Sequence, residues 1–239
     1  TGTATVPALP LFGIPVFGTM AHSFIQAHGD EAQAFEDFAR ARPDATVFLI
    51  DTYDTEKAAA KVVALAPRLA RDGIRIQGVR IDSGDLAAHA RKVRAILDAG
   101  GLTDVKIFAS GGLDEHDLLD FARTGAPIDG YGIGTSLTTS SDAAALDCAY
   151  KLQEYAGTPR RKKSEGKATW PGRKQVFRRL DAAGRMAGDL IALDGETDSA
   201  AGMPLLATVM RAAVGGSQAN QRSIRSTAAD TRLAIEACC

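Results

Sequence analysis

A histidine, two acid-bearing segments and two glycine loops are the residues of this chain whose types and spacing suit chemistry. The histidine is His22, in Gly18-Thr-Met-Ala-His22-Ser-Phe24. The acidic segments are Asp51-Thr-Tyr-Asp54 and Arg80-Ile-Asp82-Ser-Gly-Asp85, and the glycine loops are Ser110-Gly-Gly112 and Gly132-Ile-Gly-Thr135. An imidazole beside an anion site can act as a nucleophile or as a general acid/base. A lone histidine of this kind is more commonly a hydrogen-bonded structural residue, so its meaning depends on its neighbours. Glycines let backbone N–H groups approach a phosphate with no Cβ in the way, and an adjacent hydroxyl adds a donor. Arg80 and Asp82 lie two residues apart, on one face of a strand. A guanidinium there takes a carboxylate or phosphate in two-point fashion, whereas a carboxylate holds sugar hydroxyls or Mg²⁺. The bland readings are an Arg80–Asp82 pair that satisfies itself, glycines that merely allow tight turns, and Asp51 and Asp54 as helix caps.

The elements that must position these residues repeat every 25 to 33 positions. Thr46–Ile50, Ile74–Ile81, Val105–Ala109 and Ile128–Ile133 are apolar, β-branched runs, each ending in one of the polar or glycine motifs. Amphipathic stretches at Glu56–Asp72, Leu86–Ala99 and Asp114–Arg123 separate them, with Gly73, Gly100 and Gly125 as helix stops. Ile14–Gly18 reads as a further short strand and Glu31–Arg40 as a helix, which places His22 in the turn between them. Strands buried on both faces and alternating with helices predict a parallel sheet or barrel, whose chemistry collects at the C-terminal strand ends. The fold class expected is therefore α/β, an incomplete TIM-like parallel barrel with a small β-containing appendage. Residues 1–155 form the barrel units, 156–213 a basic loop and β-hairpin, and 214–239 a weakly structured tail with a weak helix over 228–237. The hairpin consists of Gln175–Leu180 and Met186–Asp194 about an Asp181–Gly184 turn.

A net charge of −1 over 239 residues supplies no field that draws the chain to nucleic acid or membrane. No apolar run approaches the ~20 residues needed to cross a bilayer. Cys148, Cys238 and Cys239 show neither metal-ligand nor disulfide spacing, so a reduced, cytoplasmic location is expected. The basic run over 160–179 reads first as a solvated face, second as a nucleotide or pyrophosphate clamp, and only third as a nucleic-acid strip. His28, His89 and His116 lie away from strand ends and carry no assigned role. Opening on Thr1 close to a strand, the chain reads as a piece of a longer protein lacking its N-terminal part.

Taken in order, these motifs resemble the nicotinate phosphoribosyltransferase family, of the type II phosphoribosyltransferases. The matching stretches are those around His22, Asp51–Thr55, Val79–Leu86, Ser110–Glu115, Gly130–Ser136, Tyr150–Leu152 and Lys163–Gly172, across roughly residues 10 to 180. The resemblance implies formation of nicotinate mononucleotide and pyrophosphate from nicotinate and phosphoribosyl pyrophosphate, coupled to ATP hydrolysis, in NAD salvage. It makes His22 the residue phosphorylated by ATP. Arg80 would face the pyridine carboxylate or a nearby phosphate, and Asp82, with Asp51 or Asp54, the ribose and its Mg²⁺. The implied substrate-binding set further includes Ser83, Gly84 and Ser110, with Gly111, Gly112, Gly132, Gly134 and Thr135 cradling the 5′-phosphate. ATP and Mg²⁺ are the implied cofactors, and a homodimer the implied assembly. The alternatives are a nicotinamide-using enzyme of the same family and a barrel that binds a sugar phosphate without transferring it.

Overall fold

The computed structural model describes residues 2–140, 142, 145–146, 148–196 and 202–207. The chain divides into two compact units, Thr1–Pro171 and Gly172–Cys239. The basic stretch up to Pro171 thus belongs with the α/β unit, sixteen residues beyond the boundary that composition suggests. The expected helix over 228–237 lies outside the described residues, as do Cys238 and Cys239.

The first unit opens with α1 (Ala8–Phe12), α2 (His22–Ala27) and α3 (Glu31–Ala41). Then β1 (Val47–Leu49), α4 (Thr55–Arg71), β2 (Gly78–Ile81), α5 (Leu86–Ala99), β3 (Lys106–Ser110), α6 (Glu115–Arg123), β4 (Gly130–Gly132) and α7 (Thr135–Thr138) alternate. These four strands pair in parallel, in the order β1-β2-β3-β4. Each new strand joins the same edge, which produces an arc rather than a doubly wound sheet. Four strands make an α/β layer pair, and no closed barrel forms among the described residues. Ile14–Gly18 supplies only one bridge, Val16 to Thr3, instead of the expected strand. Its Pro15 lacks an N–H, and Gly13 and Gly18 flank it, which removes ladder donors and stiffness.

Caps start the helices at the predicted places. Asp30, Asp54 and Asp85 accept from the N3 backbone N–H of α3, α4 and α5, and Asp114 forms a capping box on α6. Gly73 and Gly125 take left-handed φ of 74° and 59° after α4 and α6. Phe35, Phe48, Val62, Leu69, Val79, Leu97 and Ile107 are fully buried and form one core between sheet and helices. At about 1.5–3 kcal/mol per buried side chain, this core fixes the strand register. Register partners share a face, so Leu49, Arg80, Phe108 and Gly130 line one side while Phe48, Val79 and Ile107 face the helices.

After α7, β5 (Glu154–Tyr155) and β6 (Thr158–Pro159) pair about an Ala156-Gly157 turn with φ of 50° and 73°. In the second unit, β7 (Lys174–Leu180) and β8 (Met186–Leu193) form the expected antiparallel hairpin. A short β9 (Met203–Pro204) adds to β7. Arg178 pairs with Asp189 across the hairpin through two 3.0 Å bonds. No helix among the described residues is long and apolar enough to cross a membrane.

Candidate functional site

The carboxyl ends of β1, β2 and β3 bring Asp51, Asp82 and Ser110 together, and α2 delivers His22 to the same point. His22 is the first residue of α2 rather than part of a preceding turn. Its Nδ1 lies 3.0 Å from Thr52 Oγ1. Its Nε2 stands 3.9 Å from Asp51 Oδ1 and 3.7 Å from Asp82 Oδ2, too far for hydrogen bonds. Among the described residues, both His22 Nε2 and Asp51 Oδ1 are buried without a hydrogen-bond partner. In the tautomer with Nδ1–H donated to Thr52, Nε2 presents a free lone pair, as a nucleophile requires.

The two carboxylates differ in their surroundings. Asp82 Oδ1 accepts from Ser110 Oγ at 2.6 Å, with Arg80 Nη1 3.7 Å away, while Lys167 Nζ lies 3.6 Å from Oδ2. Burial alone would raise the Asp82 pKa. The His22 ring, the Ser110 hydroxyl and the Lys167 and Arg80 charges outweigh it and hold the carboxyl well below the usual range. Asp82 is thus a fixed anion rather than a base near neutral pH. Asp51 is buried, and Ser83 Oγ donates to its Oδ2. Arg80 donates through Nη1 to Ser110 Oγ at 3.2 Å and through Nη2 to the Met20 carbonyl at 3.0 Å, leaving its buried Nε unpaired.

The loop carrying Lys162 to Thr169 closes onto this cluster, contrary to the solvated face expected of a charge run. Lys163 N–H donates to the Thr52 carbonyl at 2.9 Å, and Ser164 Oγ to the Asp51 carbonyl. Lys167 Nζ donates to the Asp82 carbonyl at 2.5 Å. Lys162 and Thr169 exchange two 3.0 Å bonds that clamp the loop base. Lys162 is only 2% exposed. Burial pushes its ammonium below the ordinary lysine range, opposed by the Asp51 charge. His89, given no role from sequence, holds Glu56 at 3.0 Å and the loop's Glu165 at 3.4 Å.

The glycines and acids separate into two groups. Gly112 and Gly134 have open space where a Cβ would stand, so neither is there to let other chain segments pack closely. Gly132 ends β4 beside Ser110, and Thr135 opens the one-turn α7. Gly111 has φ +105°, and a Cβ on it would come 2.3 Å from the Asp82 carbonyl oxygen. Its need is for close packing of β2 against β3, not for ligand room. Gly84, at φ +74°, is likewise enclosed by His89 and Glu165. Asp54 is withdrawn from the site, because its carboxylate caps α4 and pairs with Lys57 at 2.7 Å. Ser83 faces Asp51. A cavity of about 340 Å³ at the opposite, N-terminal edge of β2 and β3 is lined by Ala66, Ile76 and Leu102. Its two charged liners, Arg75 and Asp104, pair with each other at 3.1 Å, leaving no reactive group there.

Residues 1–166 match the model of the nicotinate phosphoribosyltransferase (NAPRTase) family. The chain belongs to that family. It is 49% identical over 209 residues to a nicotinate phosphoribosyltransferase of Mycobacterium tuberculosis, covering 87% of this chain and 44% of that protein. A Bacillus subtilis nicotinate phosphoribosyltransferase is 40% identical over 203 residues, covering 82% and 41%. The chain therefore spans less than half the length of these relatives. Among solved structures, human nicotinic acid phosphoribosyltransferase superposes with a TM-score of 0.51 at 27% identity, over 82% of this chain and 47% of that one. A nicotinate phosphoribosyltransferase from Vibrio cholerae gives 0.59 at 24% identity, over 71% and 44%, which speaks to the fold alone. In this member of the nicotinate phosphoribosyltransferase family, the motifs around His22, Asp51, Asp82, Ser110 and Lys167 meet in one cluster. Thr52, Lys162, Ser164 and Lys167 are the members that residue-by-residue reading missed. Thr52 lies within the Asp51–Thr55 motif, Ser164 and Lys167 within Lys163–Gly172, and Lys162 within the basic run whose second reading was a phosphate clamp, but none had a role of its own.

Proposed function

We propose that the protein to which this chain belongs is an ATP-linked nicotinate phosphoribosyltransferase of NAD biosynthesis. The observation that carries the proposal is His22 Nε2, unpartnered and held between Asp51 and Asp82 by the Nδ1 contact to Thr52. Nε2 attacks the γ-phosphorus of ATP, ADP departs, and a phosphohistidine remains. In the second half of the cycle the nicotinate ring nitrogen attacks C1′ of phosphoribosyl pyrophosphate, the C1′–O bond breaks and pyrophosphate leaves, and water then attacks the phosphohistidine, releasing inorganic phosphate and restoring His22. Oxocarbenium character at C1′ is stabilised by the permanently ionised Asp82, which needs no proton transfer to act.

Arg80 supports nicotinate over nicotinamide, because its buried Nε has no partner and suits a carboxylate. Gly112 and Gly134 offer backbone to the 5′-phosphate. The residues fit a Mg²⁺ that keeps most of its oxygen ligands from water and pyrophosphate, since Asp51 Oδ1 and Asp82 Oδ2 are oxygens without a hydroxyl donor. Such an ion would offset the charge on the departing pyrophosphate. A homodimer in the cytoplasm is the assembly and place proposed.

The test is to incubate the intact protein with phosphoribosyl pyrophosphate, Mg²⁺, ATP and both pyridines in competition. Nicotinate mononucleotide should form, and His22→Ala should lose incorporation of γ-labelled phosphate from ATP. Preference for nicotinamide would refute the substrate assignment. Absence of either nucleotide, with sugar phosphate still bound, would favour a non-transferring barrel.

A further inference from the structure

Each of the three groups meeting in the cluster has one heteroatom held by a hydroxyl and one without a hydroxyl partner, that of Asp82 facing the Lys167 ammonium. Ser83 Oγ holds Asp51 Oδ2, Ser110 Oγ holds Asp82 Oδ1, and Thr52 Oγ1 meets His22 Nδ1. The atoms left over are Asp51 Oδ1, Asp82 Oδ2 and His22 Nε2, with Nε2 3.9 Å and 3.7 Å from the two oxygens, and one ligand atom from each residue lies within 4.8 Å of the others. Second-shell partners that orient ligand atoms towards one point in this way are a hallmark of metal sites. Asp51 is only 2% exposed, and its Oδ1 is buried without a partner, as is His22 Nε2. A buried carboxylate oxygen left unsatisfied is costly unless something fills the gap.

We infer that His22, Asp51 and Asp82 form a binding site for a borderline divalent cation, Zn²⁺ or Co²⁺, that competes with phosphorylation of His22. The inference about phosphorylation rests on the proposed function, whereas the binding itself does not. Ligand atoms about 2.1 Å from a zinc ion in tetrahedral array lie roughly 3.4 Å apart. The contacts of 3.9 Å and 3.7 Å from Nε2 to the two carboxylate oxygens require each side chain to close by only a few tenths of an ångström. One imidazole with two carboxylates suits zinc and cobalt better than magnesium, which prefers oxygen and keeps its water. Three protein ligands leave a fourth position for water or a phosphate oxygen. A metal on Nε2 occupies the lone pair that attacks phosphorus, so metal and phosphoryl group exclude one another. Lys167, 3.6 Å from Asp82 Oδ2, opposes the cation and must swing aside.

The test is titration of the intact, metal-stripped protein with Co²⁺, followed by visible absorption, and then with Zn²⁺. One equivalent should give d–d bands of a low-coordinate site, displaced by Zn²⁺ but not by millimolar Mg²⁺. His22→Asn and Asp82→Asn should each abolish the bands with far-UV circular dichroism unchanged. Ser83→Ala should weaken binding roughly 10- to 100-fold, as loss of a second-shell partner does. Lys167→Met should tighten it about tenfold by removing a like charge. Absence of bands, or bands indifferent to His22→Asn, overturns the site. Saturating Zn²⁺ that leaves His22 labelling intact overturns the competition while leaving the transferase standing. Labelling that fails without any metal added beyond Mg²⁺ refutes the phosphohistidine reading and leaves the cation site standing.

Discussion

Thr52→Val tests whether the imidazole works because one hydroxyl holds it. Thr52 is fully buried, and its Oγ1 lies 3.0 Å from His22 Nδ1. Valine keeps the shape, so no cavity term enters, and the Thr52 carbonyl that accepts from Lys163 is untouched. What is lost is one hydrogen bond, worth about 1 kcal/mol net, with about 1–3 kcal/mol at stake if Nδ1 is left buried and unpaired. The ring then rotates or changes tautomer, and the fraction with the Nε2 lone pair aimed between the carboxylates falls. A shift of 1–2 kcal/mol in that population corresponds to a loss of about 5- to 30-fold in labelling rate. The assay is single-turnover incorporation of γ-labelled phosphate from ATP, with ¹⁵N chemical shifts of His22 reporting the tautomer. Thr52→Ser, which restores the hydroxyl, should recover both. Wild-type labelling in Thr52→Val, with an unchanged tautomer, would refute the idea that Thr52 orients the nucleophile.

Asp54→Ala should cost about 1 kcal/mol of stability through loss of the α4 cap, measured by denaturant unfolding, with His22 labelling preserved. Gly111→Ala should destabilise by about 1–3 kcal/mol through its φ of +105° and should also depress transfer, because the new Cβ displaces the Asp82 carbonyl. Unchanged activity would show that the β2–β3 approach is not tight. The surroundings of the Asp82 carboxyl hold its folded pKa well below the ordinary carboxylate range, so its contribution to stability is complete above that range and is lost as pH falls towards the folded value. Denaturant unfolding from pH 7 to 3 should show the wild type losing its advantage over Asp82→Asn only below about pH 4. An advantage constant across that range would remove the ionic role. Phe48→Ala, at the centre of the Phe35–Phe48–Phe38 ring contacts, should cost about 3–5 kcal/mol and unfold the α/β unit before it perturbs the site selectively.

The local residues by themselves set the βα alternation. Apolar, β-branched runs ending in acids or glycines can be little else, and Asp30, Asp54, Asp85 and Asp114 mark helix starts by side-chain chemistry that acts within three residues. They also placed Asp51, Asp82 and Ser110 at strand ends, and parallel pairing then obliges those ends to share an edge, whereas His22 reaches them from α2 because the strand expected before it does not form. The second hairpin was legible for the same reason, from alternation about Asp181–Gly184. What the chain could not reveal locally is which of two neighbouring groups faces inward. Asp51 and Asp54 look equivalent in sequence, yet one turn of backbone sends Asp54 to cap α4 and buries Asp51 under Ser83 and Ser164. Gly111 and Gly112 are adjacent, yet only Gly111 is pressed against a carbonyl. The loop from Lys162 crosses more than 80 residues of chain to reach Asp82. Contacts of that sequence separation depend on how the sheet edge and the loop meet in space, so tertiary structure alone decided that the Lys162–Thr169 part of the basic run joins the site rather than forming a solvated face.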